Sequence, residues 1–265
     1  MNFGLIIIGD EILSGKRQDK HLAKVIELLS ARGLALAWST YVGDDPRRIT
    51  DTLRTAFASG DVVFSCGGIG ATPDDHTRQC AAAALGVPLA LHPEAYELIM
   101  ERVRQMAIEK GWSDDPNHPD TIHRTNMGVF PVGAQIIPNP YNKIPGFSVG
   151  DVHFVPGFPV MAHPMIEALL DTRYAHLHGA GAQEERSVIV YGSMEASLTP
   201  LMIDIEARFD GIKVFSLPSV DHPVHGRHIE LGVKGRPGSG LLQAYAALLQ
   251  GLQSPDIPLG PEMVR

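Results

Sequence analysis

At 265 residues, 44% hydrophobic and 20% charged, the chain has the length and composition for one large or two modest soluble domains with a substantial core. Its formal net charge of −8 argues against non-specific binding to nucleic acid or an anionic membrane, both of which need a basic surface. Two cysteines, Cys66 and Cys80, cannot build a disulfide framework, so a reducing cytoplasm is the expected home.

The apolar opening, residues 3–9, lacks a basic leader and is too short to span a bilayer, so it reads as a buried parallel strand over 5–8. Residues 21–32 carry Leu22, Val25, Ile26 and Leu29 on one helical face, Gly33 ends that helix, and 34–42 supplies a second strand. Asp44 and Asp45 are capping candidates for a helix opening at Pro46, with Ile49, Leu53 and Phe57 turned inward. A third strand follows at 62–66, then a glycine-rich turn and a helix reaching about Leu85. Pro93 opens another helix, with Leu98, Ile99, Val103 and Met106 spaced for burial. The polar, proline-containing stretch 111–126 reads as a long loop, in which His118 and His123 could close over a ligand. Short strands are expected at 135–137 and 152–155, separated by a turn-rich segment at 139–146, and a helix at about 161–172. Strands separated by helices imply a mostly parallel sheet covered on both faces.

The low-bulk stretch 173–184 suits a linker. Residues 1–174 would then form the first domain. Residues 184–253 would form a small α+β unit with strands at 187–191, 214–217 and 228–233 and helices at 198–209 and 241–252. Residues 254–265, rich in proline, read as a frayed tail.

The richest stretch runs from Asp61 to Thr77. Gly67, Gly68 and Gly70 permit positive φ and close approach of a ligand, Thr72 can cap a helix with Pro73 at its first position, and Asp74 and Asp75 fill the first turn. Such a turn offers backbone N–H groups and a helix dipole to an anion, and adjacent carboxylates make sense if a divalent cation bridges phosphate and protein. An ordinary strand–turn–helix connection is the plainer alternative. No lysine follows the glycines, as a P-loop requires, and Pro73 stands where a dinucleotide fingerprint needs its last glycine. Asp10 and Glu11, at the end of the first strand, would face the same crevice or simply form a capped turn. His222, His225 and His228 sit three apart as zinc ligands can, but a solvated hairpin loop explains them more simply. Cys66 reads as a small core residue.

Residues 3–172 resemble the CinA-type molybdopterin-binding-domain family. The likeness rests on Ile-Gly-Asp-Glu-Ile-Leu-Ser-Gly (8–15), Val-Gly-Asp-Asp (42–45), Gly-Gly-Ile-Gly-Ala-Thr-Pro-Asp-Asp-His-Thr (67–77), Asn-Pro (139–140), Pro-Gly (145–146) and Pro-Gly-Phe-Pro (156–159). Residues 187–235 are similar to that family's small KH-like second domain through Gly-Ser-Met-Glu-Ala-Ser-Leu (192–198) and Gly-Arg-His-Ile-Glu-Leu-Gly-Val-Lys (226–234). The resemblance implies a three-layer α/β/α fold and metal-dependent hydrolysis of ADP-ribose, FAD, NAD or related pyrophosphates. Gly67, Gly68, Gly70 and Thr72 would cradle the phosphate, with Asn139 and Gly157 as further ligand contacts; Lys143, in a loop that diverges from the family, is a candidate phosphate contact, a solvated lysine being the plainer alternative. Asp10, Asp74 and Asp75 would hold Mg²⁺, Mn²⁺ or Co²⁺, and Asp75, Asp10 and Glu11 would carry the chemistry.

The chain departs from the pattern at Lys20, His21, Ala71, Lys143 and Met161. These changes motivate the alternatives of a non-catalytic molybdopterin- or nucleotide-binding protein, or molybdopterin adenylyl transfer. The amidohydrolase domain that often follows in the family has no counterpart here, so no deamidase activity is expected. A homodimer is implied by the resemblance. No RNA partner is expected, because residues 185–252 show neither a basic strip nor an aromatic platform.

Overall fold

The computed structural model of the protein describes residues 1–253 and 257–265. The chain divides into two compact units, Met1–His178 and Gly179–Arg265.

The first unit runs β1 (Phe3–Ile8), α1 (Asp10–Leu13), α2 (His21–Ser30), β2 (Leu36–Val42), α3 (Pro46–Ser59), β3 (Val62–Cys66), α4 (Thr77–Leu85), β4 (Leu89–Leu91), α5 (Pro93–Lys110), α6 (Pro119–Thr125), β5 (Val129–Pro131), β6 (Gln135–Ile137), β7 (Gly146–Val149), β8 (Val152–Val155) and α7 (Pro159–Thr172). One sheet has the order β2-β1-β3-β8-β7-β6. Its first four strands are parallel, β7 and β6 extend it antiparallel, and β4 and β5 form a separate antiparallel pair.

The period-2 rule of a strand explains the layering. Phe3, Leu5 and Ile7 of β1 and Val62, Phe64 and Cys66 of β3 face one side, where Val25, Leu28 and Leu29 of α2 and Met165, Ile166 and Leu170 of α7 cover them. Ile6, Ile8 and Val63 face the other side, beneath Ile49, Leu53 and Ala56 of α3 and Cys80 and Ala81 of α4. Helices on both faces of a mostly parallel sheet make the three-layer α/β/α arrangement.

The cap at Asp45 holds: its carboxylate accepts from Arg48 N at 2.8 Å, and Pro46 occupies the first turn of α3. Three stretches differ from the sequence reading. Part of the expected loop 111–126 is α6, which Pro119 opens and His118 Nδ1 caps by accepting from Asp120 N, with Thr121 and Thr125 turned inward. That cap is the role the structure gives His118. Residues 146–149 form a strand because Phe147 packs against Phe130 and Phe154, contacts that a turn-rich composition hides. The pair β4 and β5 joins residues about forty positions apart, too far for a local pattern to show.

The second unit runs β9 (Glu184–Tyr191), α8 (Glu195–Arg208), β10 (Lys213–His222), β11 (Gly226–Gly235), α9 (Leu241–Gly251) and β12 (Leu259–Val264). Its antiparallel sheet has the order β10-β11-β9-β12. Val188, Val190, Leu231 and Val233 pack beneath Leu198 and Ile205 of α8 and Ala244 and Leu248 of α9. The frayed-tail reading is corrected for residues 259–264, which form an edge strand against β9, while 254–256 lie outside the described residues. Arg265 fastens this edge by an ion pair with Glu230 at 2.9 Å. No helix of the described residues is long and apolar enough to cross a membrane.

Candidate functional site

The carboxyl ends of β2, β1, β3 and β8 lie side by side: Gly9 N donates to Val42 O at 3.0 Å, Ile7 pairs with Cys66, and Gly67 N donates to Val155 O at 3.1 Å. Parallel strands ending together leave a crevice beyond them, and here it has a volume of about 650 Å³. Gly67, Gly68, Gly70, Thr72, Asp74, Asp75, Glu11 and Gly157 all border it. Asp10 borders an adjoining cavity of about 640 Å³ together with Glu11, Asp44 and Asp74.

The loop after β3 is shaped by glycines that no other residue could replace. Gly67 (φ 109°) and Gly68 (φ 68°) have left-handed backbones, and a Cβ would collide with Ile8 O at the first and Thr77 Oγ1 at the second. Thr77, fully buried, locks the turn: its Oγ1 donates to Gly67 O at 3.1 Å and its N to Gly68 O at 3.0 Å. Arg78, also buried, donates from Nη2 to Gly70 O at 2.7 Å, and burial pulls its guanidinium below its ordinary pKa. The N–H groups of Gly68, Ile69, Gly70 and Ala71 have no acceptor among the described residues. Four consecutive free amides on a glycine turn form a nest of positive potential.

The expected helix cap at Thr72 is corrected. Helix α4 begins at Thr77, and residues 72–75 close a separate turn. Asp75 Oδ2 accepts from Thr72 N at 2.9 Å and from Thr72 Oγ1 at 2.6 Å, while Asp75 N donates to Thr72 O at 3.0 Å. The carboxylate that seemed poised for the start of a helix is used to fasten its own loop. Asp74 is exposed.

Asp44 was read as a capping residue, but only Asp45 caps. Asp44 instead pairs with Asp10: Asp10 N donates to Asp44 Oδ2 at 2.8 Å, and Asp44 N donates to Asp10 Oδ1 at 3.1 Å. Burial raises the Asp44 carboxyl above its ordinary value, and the charges of Asp10, Glu11 and Asp74 push the same way. Lys16 and Arg17 also border the loop crevice, and sequence reasoning did not nominate them. Their signal was position alone: they follow Gly15, whose left-handed φ of 72° turns the chain back after α1.

On the opposite wall, His21 Nε2 donates to Gly157 O at 3.1 Å. Burial pulls the His21 imidazole below its ordinary pKa. Asp19 organises this corner, its carboxylate accepting from His21 N, Leu22 N and Tyr41 Oη at 2.7, 3.1 and 2.8 Å. Those bonds hold Asp19 below the ordinary range although burial opposes them.

The structure does not bring Asn139 and Lys143 to the crevice wall. Asn139 is buried, donating from Nδ2 to Asn142 Oδ1 and Ile144 O at 2.8 and 2.9 Å and accepting from Tyr141 N at 3.0 Å, so it staples the 139–144 turn. Lys143 takes a left-handed φ of 66° and is ion-paired with Glu101. Met161, another point of departure from the family pattern, accepts at Sδ from Asn142 Nδ2 at 3.6 Å.

Among the described residues no three His, Cys, Asp or Glu side chains converge as a metal ion requires. The carboxylates of Asp10, Asp74 and Asp75 therefore do not form a ready-made cation site, and Asp75 is already spent on Thr72. The same finding covers His222, His225 and His228, whose rings cluster 5.0–5.6 Å apart at the β10–β11 turn. Their Nδ1 atoms are engaged locally, His222 accepting from Val224 N and His225 N, His225 meeting Tyr191 Oη and His228 donating to Gly226 O. Cys66 is wholly buried, which pushes its thiol pKa far up and makes it inert.

Comparison with known proteins gives this geometry a lineage. A family model described as a probable molybdopterin binding domain matches residues 4–176. A CinA-like protein of Anaeromyxobacter sp. (strain K) is 35% identical over 164 residues, covering 60% of this chain and 38% of that protein. The chain thus spans well under half of that relative's length. A protein of Pyrobaculum calidifontis is 30% identical over 236 residues, 85% of each chain. The crystal structure of a CinA protein of unknown function from Thermoplasma acidophilum matches with a TM-score of 0.54 and 27% identity, over 64% of this chain and 98% of its own. With the glycine turn, the paired aspartates and the sheet order all inside the matched region, the chain belongs to the CinA-type molybdopterin-binding-domain family.

Proposed function

We propose that the crevice beyond β1, β3 and β8 binds the phosphate of a small molecule, a phosphorylated pterin or an adenine nucleotide. The observation that carries this is the row of four unpartnered amides from Gly68 to Ala71, bordering a cavity of about 650 Å³. Amides need no counter-charge to bind an anion, because their dipoles are fixed by the fold before the ligand arrives. Three cations support them: Arg78 beneath the turn, and Lys16 and Arg17 on its rim. The matched family description, a probable molybdopterin binding domain, is consistent with a pterin-bearing ligand.

Hydrolysis of a bound phosphoanhydride is a second reading. It is supported by the carboxylates of Asp10, Glu11, Asp44 and Asp74 in the adjoining cavity. Asp44, raised above its ordinary pKa, is the carboxyl best matched to accept a proton from water. No step through a divalent cation is derived, since the acidic side chains do not converge on one.

The test is calorimetric titration with ADP-ribose and with a phosphorylated pterin, with and without EDTA, alongside product analysis in Mg²⁺, Mn²⁺ or Co²⁺. Binding that survives EDTA supports the amide site. Release of a nucleotide monophosphate supports hydrolysis. No binding by either ligand overturns the first reading, and no product under any metal overturns the second.

A further inference from the structure

A second cavity, of about 320 Å³, adjoins the loop crevice and shares with it Glu11, Arg17, Gly157 and Phe158. Its remaining wall includes Gln18, Lys20 and His21. The charges of the trough are sorted along its length. The cavity on one side holds four carboxylates, Asp10, Glu11, Asp44 and Asp74, against Lys16 alone. The cavity at Lys20 holds Arg17, Lys20 and His21 against Glu11 alone.

Two further observations concern these basic groups. Among the described residues neither Arg17 nor Lys20 is ion-paired, although ten ion pairs engage cations elsewhere. His21 is 4% exposed, and its Nδ1 is buried with no hydrogen-bond partner. Because its Nε2 donates to Gly157 O, the neutral ring presents a lone pair at Nδ1.

We infer that Arg17 and Lys20, on the cavity wall beside His21, form a subsite for a second anionic group, so that this protein selects ligands carrying two separated phosphates. The inference rests on the proposed phosphate site at residues 68–71, which would hold the first. A phosphate suits the second cavity chemically. Its oxygens accept from the Lys20 ammonium and the Arg17 guanidinium.

Calorimetry with 5′-AMP and adenosine 3′,5′-bisphosphate tests it. Wild-type protein is expected to bind the bisphosphate at least about tenfold more tightly than 5′-AMP, the worth of one added charge-assisted contact. In Lys20→Ala, an exposed position where folding is not at stake, the ratio of the two affinities should fall toward one. Arg17→Ala should reduce the ratio as well. Equal affinities in the wild type, or an unchanged ratio in both variants, overturn this inference and leave the loop site standing. Failure of both nucleotides to bind overturns this inference, and the titrations with ADP-ribose and the phosphorylated pterin then decide whether the loop site stands.

Discussion

Asp10 and Asp44 hold one another by a reciprocal pair of bonds, each backbone N–H donating to the other's carboxylate, at 2.8 and 3.1 Å. Two like charges are thereby fixed side by side on the wall of the cavity that adjoins the loop crevice. The backbone bonds pin the ends of β1 and β2 together, and burial first, then the neighbouring charges of Asp10, Glu11 and Asp74, raises the Asp44 pKa.

That shift has a sign that can be measured. The folded state keeps the Asp44 proton to higher pH than the unfolded chain does. Stability therefore falls as pH rises from the ordinary aspartate value of 3.8 through the raised folded value. Asp44→Asn removes the charge while its carbonyl can still accept from Asp10 N. It should raise the midpoint of thermal unfolding at pH 7 and give no gain near pH 3, read by circular dichroism at both pH values.

Asp75 separates a fastening role from a ligand role. Asn at this position keeps a carbonyl oxygen for the Thr72 N–H and hydroxyl, whereas Ala keeps nothing. If Asp75 acts as the loop's clasp, Asp75→Asn should hold ADP-ribose affinity within about threefold, and Asp75→Ala should lose about tenfold, roughly 1.4 kcal/mol. Equal, complete loss in both, measured by calorimetry, would show instead that the charge itself meets the ligand.

Gly68→Ala places a Cβ against Thr77 Oγ1 on a left-handed backbone. The strain should cost about 1–3 kcal/mol, seen in urea unfolding. The shift of Thr77 should also disorder the amide row, so ligand-induced thermal stabilisation should vanish in the variant.

His153 sits fully buried between Ser148 Oγ and Tyr174 Oη, at 2.7 and 2.6 Å, and Tyr174 passes its own proton to Asp151 Oδ1 at 2.8 Å. Burial, helped by Arg173, lowers the imidazole pKa to about 3. The unfolded chain binds this proton near pH 6.5 and the folded state does not. The contribution is therefore complete above about pH 6.5 and is lost as pH falls toward 3, by at most about 1.4 kcal/mol per pH unit. His153→Gln should lower stability at pH 7 yet flatten its dependence on pH between 6 and 4, measured by denaturant titration.

How the sequence and the fold divide the information is visible in particular residues. Strand β3 could be read to the residue, because Asp61 and Gly67 bracket a run of five buried positions. The helix at Pro46 could be read because an aspartate followed by proline is a local signal with a local cause. The glycine turn could be read for the same reason: only glycine tolerates the backbone at 67 and 68. Where a residue's partner lies far along the chain, local pattern fails. Nothing near Asn139 or Lys143 reveals that the first staples its own turn and the second pairs with Glu101, forty-two positions away.

The sequence by itself therefore determined the alternation of strands and helices, the sheet covered on both faces and the glycine turn after the third strand, since period, capping and glycine chemistry act within a few residues. Only the tertiary structure decided which charges surround that loop. It set Asp44 against Asp10, brought Lys16 and Arg17 to the rim, and drew Lys143 away. It also spent Asp75 on Thr72, because the approach of side chains in space is fixed by packing the sheet and its helices together.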